Sequence, residues 1–154
     1  MASVKLAYES TQTPTITLAS LANGATRACT AIDNSSALDL DAVVFLQIKT
    51  GGTGVSSTGH VDVYIVKSLD GTNWDDGFSG TDSGLSPVVG STFLFSFPAY
   101  VNASSFLASE RLSKVFDRLP KKFSICVVNN TGAAFDSTAA NFKLIVAPDY
   151  LTVA

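Results

Sequence analysis

The stretch HVDVYIVKSLDGTNWDDG, His60 to Gly77, decides how this chain folds. Val61, Val63 and Ile65 alternate with Asp62 and Tyr64, the two-residue period of a half-buried strand. The strand stops at Asp70-Gly71, because glycine accepts positive φ at no steric cost, and Asn73, Asp75, Asp76 and Gly77 supply further turn formers. Trp74, the only tryptophan, stands in the middle of this polar reversal.

Upstream, Ala42 to Lys49 (AVVFLQIK) is an almost continuous apolar run of the kind found in a sheet interior. Between it and the Val61 strand, TGGTGVSSTG (Thr50 to Gly59) has little to bury and a high entropy of ordering, which predicts a mobile loop tip joining two paired strands. Farther back, Asn23-Gly24 between Thr15–Leu18 and Arg27–Ile32 predicts a hairpin. Residues 1–14 alternate weakly at Val4, Leu6 and Tyr8, as an edge strand or extended arm would, and leave 15–154 as one domain.

Downstream, a loop from Phe78 to Pro87 leads to a strand over Val88–Phe97, whose Phe93, Phe95 and Phe97 share one face and are expected to fill much of the core. Leu112, Val115, Phe116 and Leu119 change the period to that of an amphipathic helix over 109–119, capped by Ser109 and ended by Pro120. Strands resume at Phe123–Val128 and Phe142–Val146. The whole reads as an all-β antiparallel β-sandwich with that one short helix, in a jelly-roll or immunoglobulin-like topology. The order Cys29, Trp74, Cys126 has the wrong spacing for an immunoglobulin domain, and its Trp falls on a turn.

At 154 residues the chain fits a single domain that buries about 68–70% of its unfolded surface. Its 46% hydrophobic and 15% charged residues leave a surface poor in charge, which points to assembly against neighbours. A net charge of −3 offers no field for nucleic acid. No apolar run approaches the roughly 20 residues of a spanning helix, and the first residues lack a secretory h-region, so no membrane partner is expected and the Asn34, Asn102 and Asn129 glycosylation patterns are discounted. Cys29 and Cys126 read as free, buried thiols; a disulfide between them requires neighbouring strands, which the sequence leaves open.

No residue set reads as catalytic, and neither metal nor cofactor is implied. His60 is the single histidine, at a loop rim, and the nucleophile-elbow, Walker and zinc-protease motifs do not occur. Asp70, Asn73, Asp75 and Asp76 lack EF-hand spacing and read as turn chemistry, while Asp39 and Asp41 flank Leu40 at the start of a strand. Trp74 with Tyr64 or Tyr100 could make a flat glycan platform, against the alternative that Trp74 folds back to seal the sandwich. Arg111, Lys114, Arg118, Lys121 and Lys122 concentrate positive charge, either as a solvated face or as a docking surface for an acidic protein.

SLDGTNWDDG at Ser68–Gly77, the helix ending in Arg118-Leu119-Pro120, and FSICVVNNTGAA at Phe123–Ala134 together resemble small structural proteins of tailed bacteriophage virions, over about the second half of the chain. The resemblance transfers no active-site residue. It implies a non-enzymatic virion subunit, made in the host cytoplasm, in contact with major capsid or neck and tail subunits and with copies of itself. Head decoration or cement is preferred to neck or tail. The alternative reading is a carbohydrate-binding module for host adhesion using Trp74; a hydrolase with an unrecognised carboxylate pair is a third.

Overall fold

The computed structural model describes residues 4–85 and 90–153. The expected start of a strand at Val88 and the first residues of the expected arm lie outside them. The strands are Val4–Tyr8 (β1), Thr26–Ala28 (β2), Ile32–Asp33 (β3), Asp41–Lys49 (β4), His60–Ser68 (β5), Thr92–Pro98 (β6), Ser105–Arg111 (β7), Lys122–Asn130 (β8) and Lys143–Val153 (β9).

β4 shows why they form. Ala42, Val44, Leu46 and Ile48 are fully buried, and the residues between them are half-buried on the other face, the alternation that a sheet with one face on a core demands. The first sheet runs β1-β9-β4-β7 and the second β2-β8-β5-β6, with β3 also on β8, and all pairings are antiparallel. Taking β2 and β3 as one interrupted strand, the pairs β1·β9, β2/β3·β8, β4·β7 and β5·β6 nest inside one another. The chain is thus one long hairpin, with its tip between β5 and β6, rolled so that β9 also meets β4 and β8 also meets β5. That strand order is a jelly roll, not an immunoglobulin sandwich. The two sheets enclose Val44, Leu46, Val61, Val63, Ile125, Val127 and their neighbours.

The tip of the hairpin explains Trp74. Val66 and Cys126 point out of the second sheet, away from the main core, and need cover. The loop after β5 folds back over them with Phe78, Leu85 and Trp74, whose ring stands edge-on to Phe78 at 5.0 Å between centroids. The loop is fastened to β2 through Arg27 Nε to Asp82 at 2.6 Å and the Ala28–Ser83 bridge.

Four expectations need correction. The helix over 109–119 shrinks to one 3-10 turn, Leu112–Lys114, because Ser109, Glu110 and Arg111 extend β7 along β4 and gain ladder hydrogen bonds; Leu112 and Leu119 still reach the core from irregular backbone. The Asn23-Gly24 turn forms, with Gly24 at φ 75°, but its arms do not build a hairpin, since β2 pairs with β8. Thr50–Gly59 does not join paired strands: β4 and β5 lie in different sheets, and the loop crossing between them is tied down by Ser56 N–H to Thr131 O (2.7 Å) and Val55 N–H to Asn102 Oδ1 (3.0 Å). The three phenylalanines do not share a face. Register slips by one residue at Leu94, so Leu94, Phe95 and Phe97 are buried while Phe93 turns outward, 49% exposed, onto Tyr64.

Candidate docking surface

The end of the sandwich where β4 starts, β5 ends and β8 starts carries the most unusual surface. The β3–β4 linker is closed by buried Asn34, which accepts from Asp39 N–H (2.8 Å) and donates to Asp39 O (3.1 Å). That closure puts Leu38 at φ 56°, a conformation bulky residues seldom take, and leaves it 69% exposed. Leu69, the first residue after β5, is 74% exposed beside it. With Leu40, Phe116, Leu119 and Pro120 these leucines line a groove of about 540 Å³. Leu40 N–H donates to Asp149 O (3.0 Å), so the groove abuts the base of the β1–β9 ribbon. On that ribbon Leu6 and Leu151 are register partners and both exposed, as is Tyr8.

Asp39 lines the groove although only 4% exposed, and its Oδ1 has no hydrogen-bond partner among the described residues. Burial first, then the nearby charges of Glu9 and Asp149, push its carboxyl pKa up. Lys67, Arg118 and Lys121 stand on the groove lining. Lys67 is held by Asp75 (3.1 Å) and lies over the Phe116 ring at 5.8 Å, and Lys121 donates to Asp70 O (3.3 Å). Arg118 has no ion pair or hydrogen bond among the described residues.

The other basic residues singled out from the sequence do not join this surface, since no helix gathers them. Arg111 bridges Asp41 (2.7 Å) and Asp149 (3.0 Å) across β4 and β9, Lys114 pairs with Glu110 (2.5 Å), and Lys122 with Asp33 (3.3 Å). The aromatic residues are also dispersed. Trp74 and Tyr64 belong to the cluster under the hairpin tip. Tyr100 packs on Phe106 just past Pro98, which pairs with His60 at the far end of β5. Nine residues of strand, roughly 27 Å, separate His60 from Ser68 and the Trp74 turn beyond it.

The turn acids fasten the loop that carries them. Asp70 Oδ1 accepts from the N–H groups of Thr72 and Asn73 (both 2.8 Å), which holds its carboxyl far below the usual range. Asp76 accepts from Gly90 and Ser91. Among the described residues no group of three or more His, Cys, Asp or Glu is placed to hold a metal. His60 contacts Thr58 O and Asp62. Cys29 lies in the inter-sheet core and Cys126 under the hairpin tip, both as free thiols. No helix among the described residues is long and apolar enough to cross a membrane.

Sequence reasoning missed Leu38, Leu40 and Leu69. Their signal was present: leucines set in otherwise polar turns, SSALDLD and SLDGT, where a turn alone needs none. Compared with known proteins, the chain matches no family model and no curated protein.

Proposed function

We propose that the chain is a non-enzymatic structural subunit of a bacteriophage virion, a head decoration or cement protein in preference to a neck or tail component, made in the host cytoplasm and docked on other virion proteins. The observation that carries this reading is the apolar end of the sandwich, where exposed Leu38, Leu40 and Leu69 rim a groove and Leu40 is bonded to the base of the β1–β9 ribbon. Exposed leucines gathered this way mark a surface that another protein covers. The jelly roll supports the reading by analogy, because viral capsid domains use it, though lectins do as well. Arg118 and Lys121 on the groove lining favour a partner that brings carboxylates beside an apolar side chain.

The test is binding of the isolated chain to tailed-phage particles stripped of their decoration proteins. Co-sedimentation at a fixed stoichiometry is expected, surviving high salt because the contact is mainly apolar, and lost in a Leu38→Asp, Leu69→Asp variant that keeps its melting temperature. Wild-type protein that stays in the supernatant, or a variant that binds as well as wild type, would overturn the reading. The carbohydrate reading predicts instead retention on a polysaccharide column that Trp74→Ala abolishes. Because Trp74 packs in the cluster with Phe78, Val66 and Cys126, that substitution is expected to act on stability.

A further inference from the structure

β1 is the outer strand of its sheet, and among the described residues nothing pairs with its open edge. Glu9 N–H donates to Pro148 O (3.2 Å) in the continued β1–β9 register. In an antiparallel ladder the bonded positions alternate, so Ala7 and Lys5 also turn their backbone groups toward β9, and Leu6 and Tyr8 turn theirs outward. Natural edges of this kind are blunted by proline, a bulge, a very short strand or charged side chains, lysine above all. Residues 4–8, VKLAY, contain neither proline nor a register shift, and their one charge, Lys5, meets an opposite charge in the pairing that follows.

We infer that this edge pairs with β1 of a second copy, antiparallel about a two-fold axis at Ala7, joining the two four-stranded sheets into one of eight. The inference extends the assembly reading and rests on it only in taking the chain for a building block. In that register Leu6 stands opposite Tyr8 of the second copy and Tyr8 opposite its Leu6, and these are the residues whose backbone groups are free to bond. On the other face Lys5 stands opposite Glu9 of the second copy, and the symmetry makes the pair twice. Neither Lys5 nor Glu9 has an ion pair or a side-chain hydrogen bond within its own chain, among the described residues. The incoming lysine also offsets the repulsion that Glu9 exerts on Asp39.

A second copy suits this edge better than it suits β7. A two-fold antiparallel pairing places a residue opposite one an even number of positions away, which Lys5 and Glu9 satisfy and the adjacent Glu110 and Arg111 do not. Those two are moreover already held by Lys114 and by Asp41 and Asp149. The exposed Leu6, Tyr8 and Leu151 of both copies then form one apolar stripe on the outer face of the joined sheet.

Sedimentation equilibrium on the full chain tests this. The wild type is expected to be a dimer at micromolar concentration. Lys5→Glu and Glu9→Lys should each weaken it about tenfold, because each turns two attractive cross-strand pairs repulsive, and the double exchange should restore it to within about twofold. Leu6→Pro removes an outward N–H without touching the bonds to β9, so it should abolish the dimer with an unchanged circular dichroism spectrum. A chain that is monomeric at about 100 μM, or a dimer indifferent to both reversals and to Leu6→Pro, overturns the pairing. A monomer that still binds stripped particles overturns the pairing alone and leaves the assembly reading standing.

Discussion

Asp39 is held in a place that suits a carboxylate badly. Its Oδ1 is buried without a partner, and Glu9 and Asp149 add repulsion, so its folded pKa lies above the ordinary value. Protonation therefore favours the folded chain: the penalty is fully present above the folded pKa and disappears as pH falls through it toward the unfolded value near 3.9. Asp39→Asn should raise the unfolding free energy measured by urea titration at pH 7 by about 1 kcal/mol, with the gain vanishing near pH 4. Asp41, Asp82 and Asp136 work in the opposite sense. Hydrogen bonds and ion pairs outweigh burial at Asp41 and Asp82, and Thr138 N–H and Asn141 lower Asp136, so the stability these acids provide is lost as pH falls below the unfolded value. Asp70's role was legible in the sequence because its partners lie within three residues. Asp39's was not, because its burial and its repulsive neighbours come from distant parts of the chain.

At the scale of elements, β6 separates what alternation can reveal from what it cannot. The residues 92–98 were readable as a strand, yet the slip at Leu94 is a property of the pairing with β5. Phe97→Ala should cost about 3 kcal/mol in chemical denaturation and Phe93→Ala about 1 kcal/mol, whereas a strand without the bulge would make the two alike. The 109–119 helix failed for a related reason. Leucines spaced for a helix face also suit a turn that drops Leu112 and Leu119 into the core, and the free edge of β4 drew Ser109–Arg111 into the sheet. The glycine-rich crossover is packed, not slack. A Cβ on Gly59 would lie 2.8 Å from the carbonyl oxygens of Ala99 and Thr131, while one on Gly52 would meet nothing within 4 Å. Gly59→Ala should therefore cost about 2 kcal/mol and Gly52→Ala less than about 0.5 kcal/mol, read from thermal midpoints.

For the molecule as a whole, the sandwich class was legible in alternating strands and regular turns, but the nested order of the pairs was not, since pairing couples residues far apart in sequence. β1 pairs with β9, and β2 with β8, across most of the length of the chain. Refolding from denaturant is accordingly expected to take milliseconds to seconds, by stopped-flow Trp74 fluorescence, in place of the microseconds of a helical bundle. The low surface charge was visible from composition, whereas the gathering of Leu38, Leu40 and Leu69 around one groove emerged only when the linker after β3 and the turn after β5 were brought together.

Val4 and Val153 sit opposite each other in the β1–β9 ladder. A short glycine-serine linker across that gap, with the backbone opened between exposed Gly52 and Thr53, should give a circular permutant with the same far-ultraviolet spectrum. For the same reason, peptides joined directly to Val4 and Val153 would leave the ladder side by side, making the sandwich a scaffold for presenting paired epitopes.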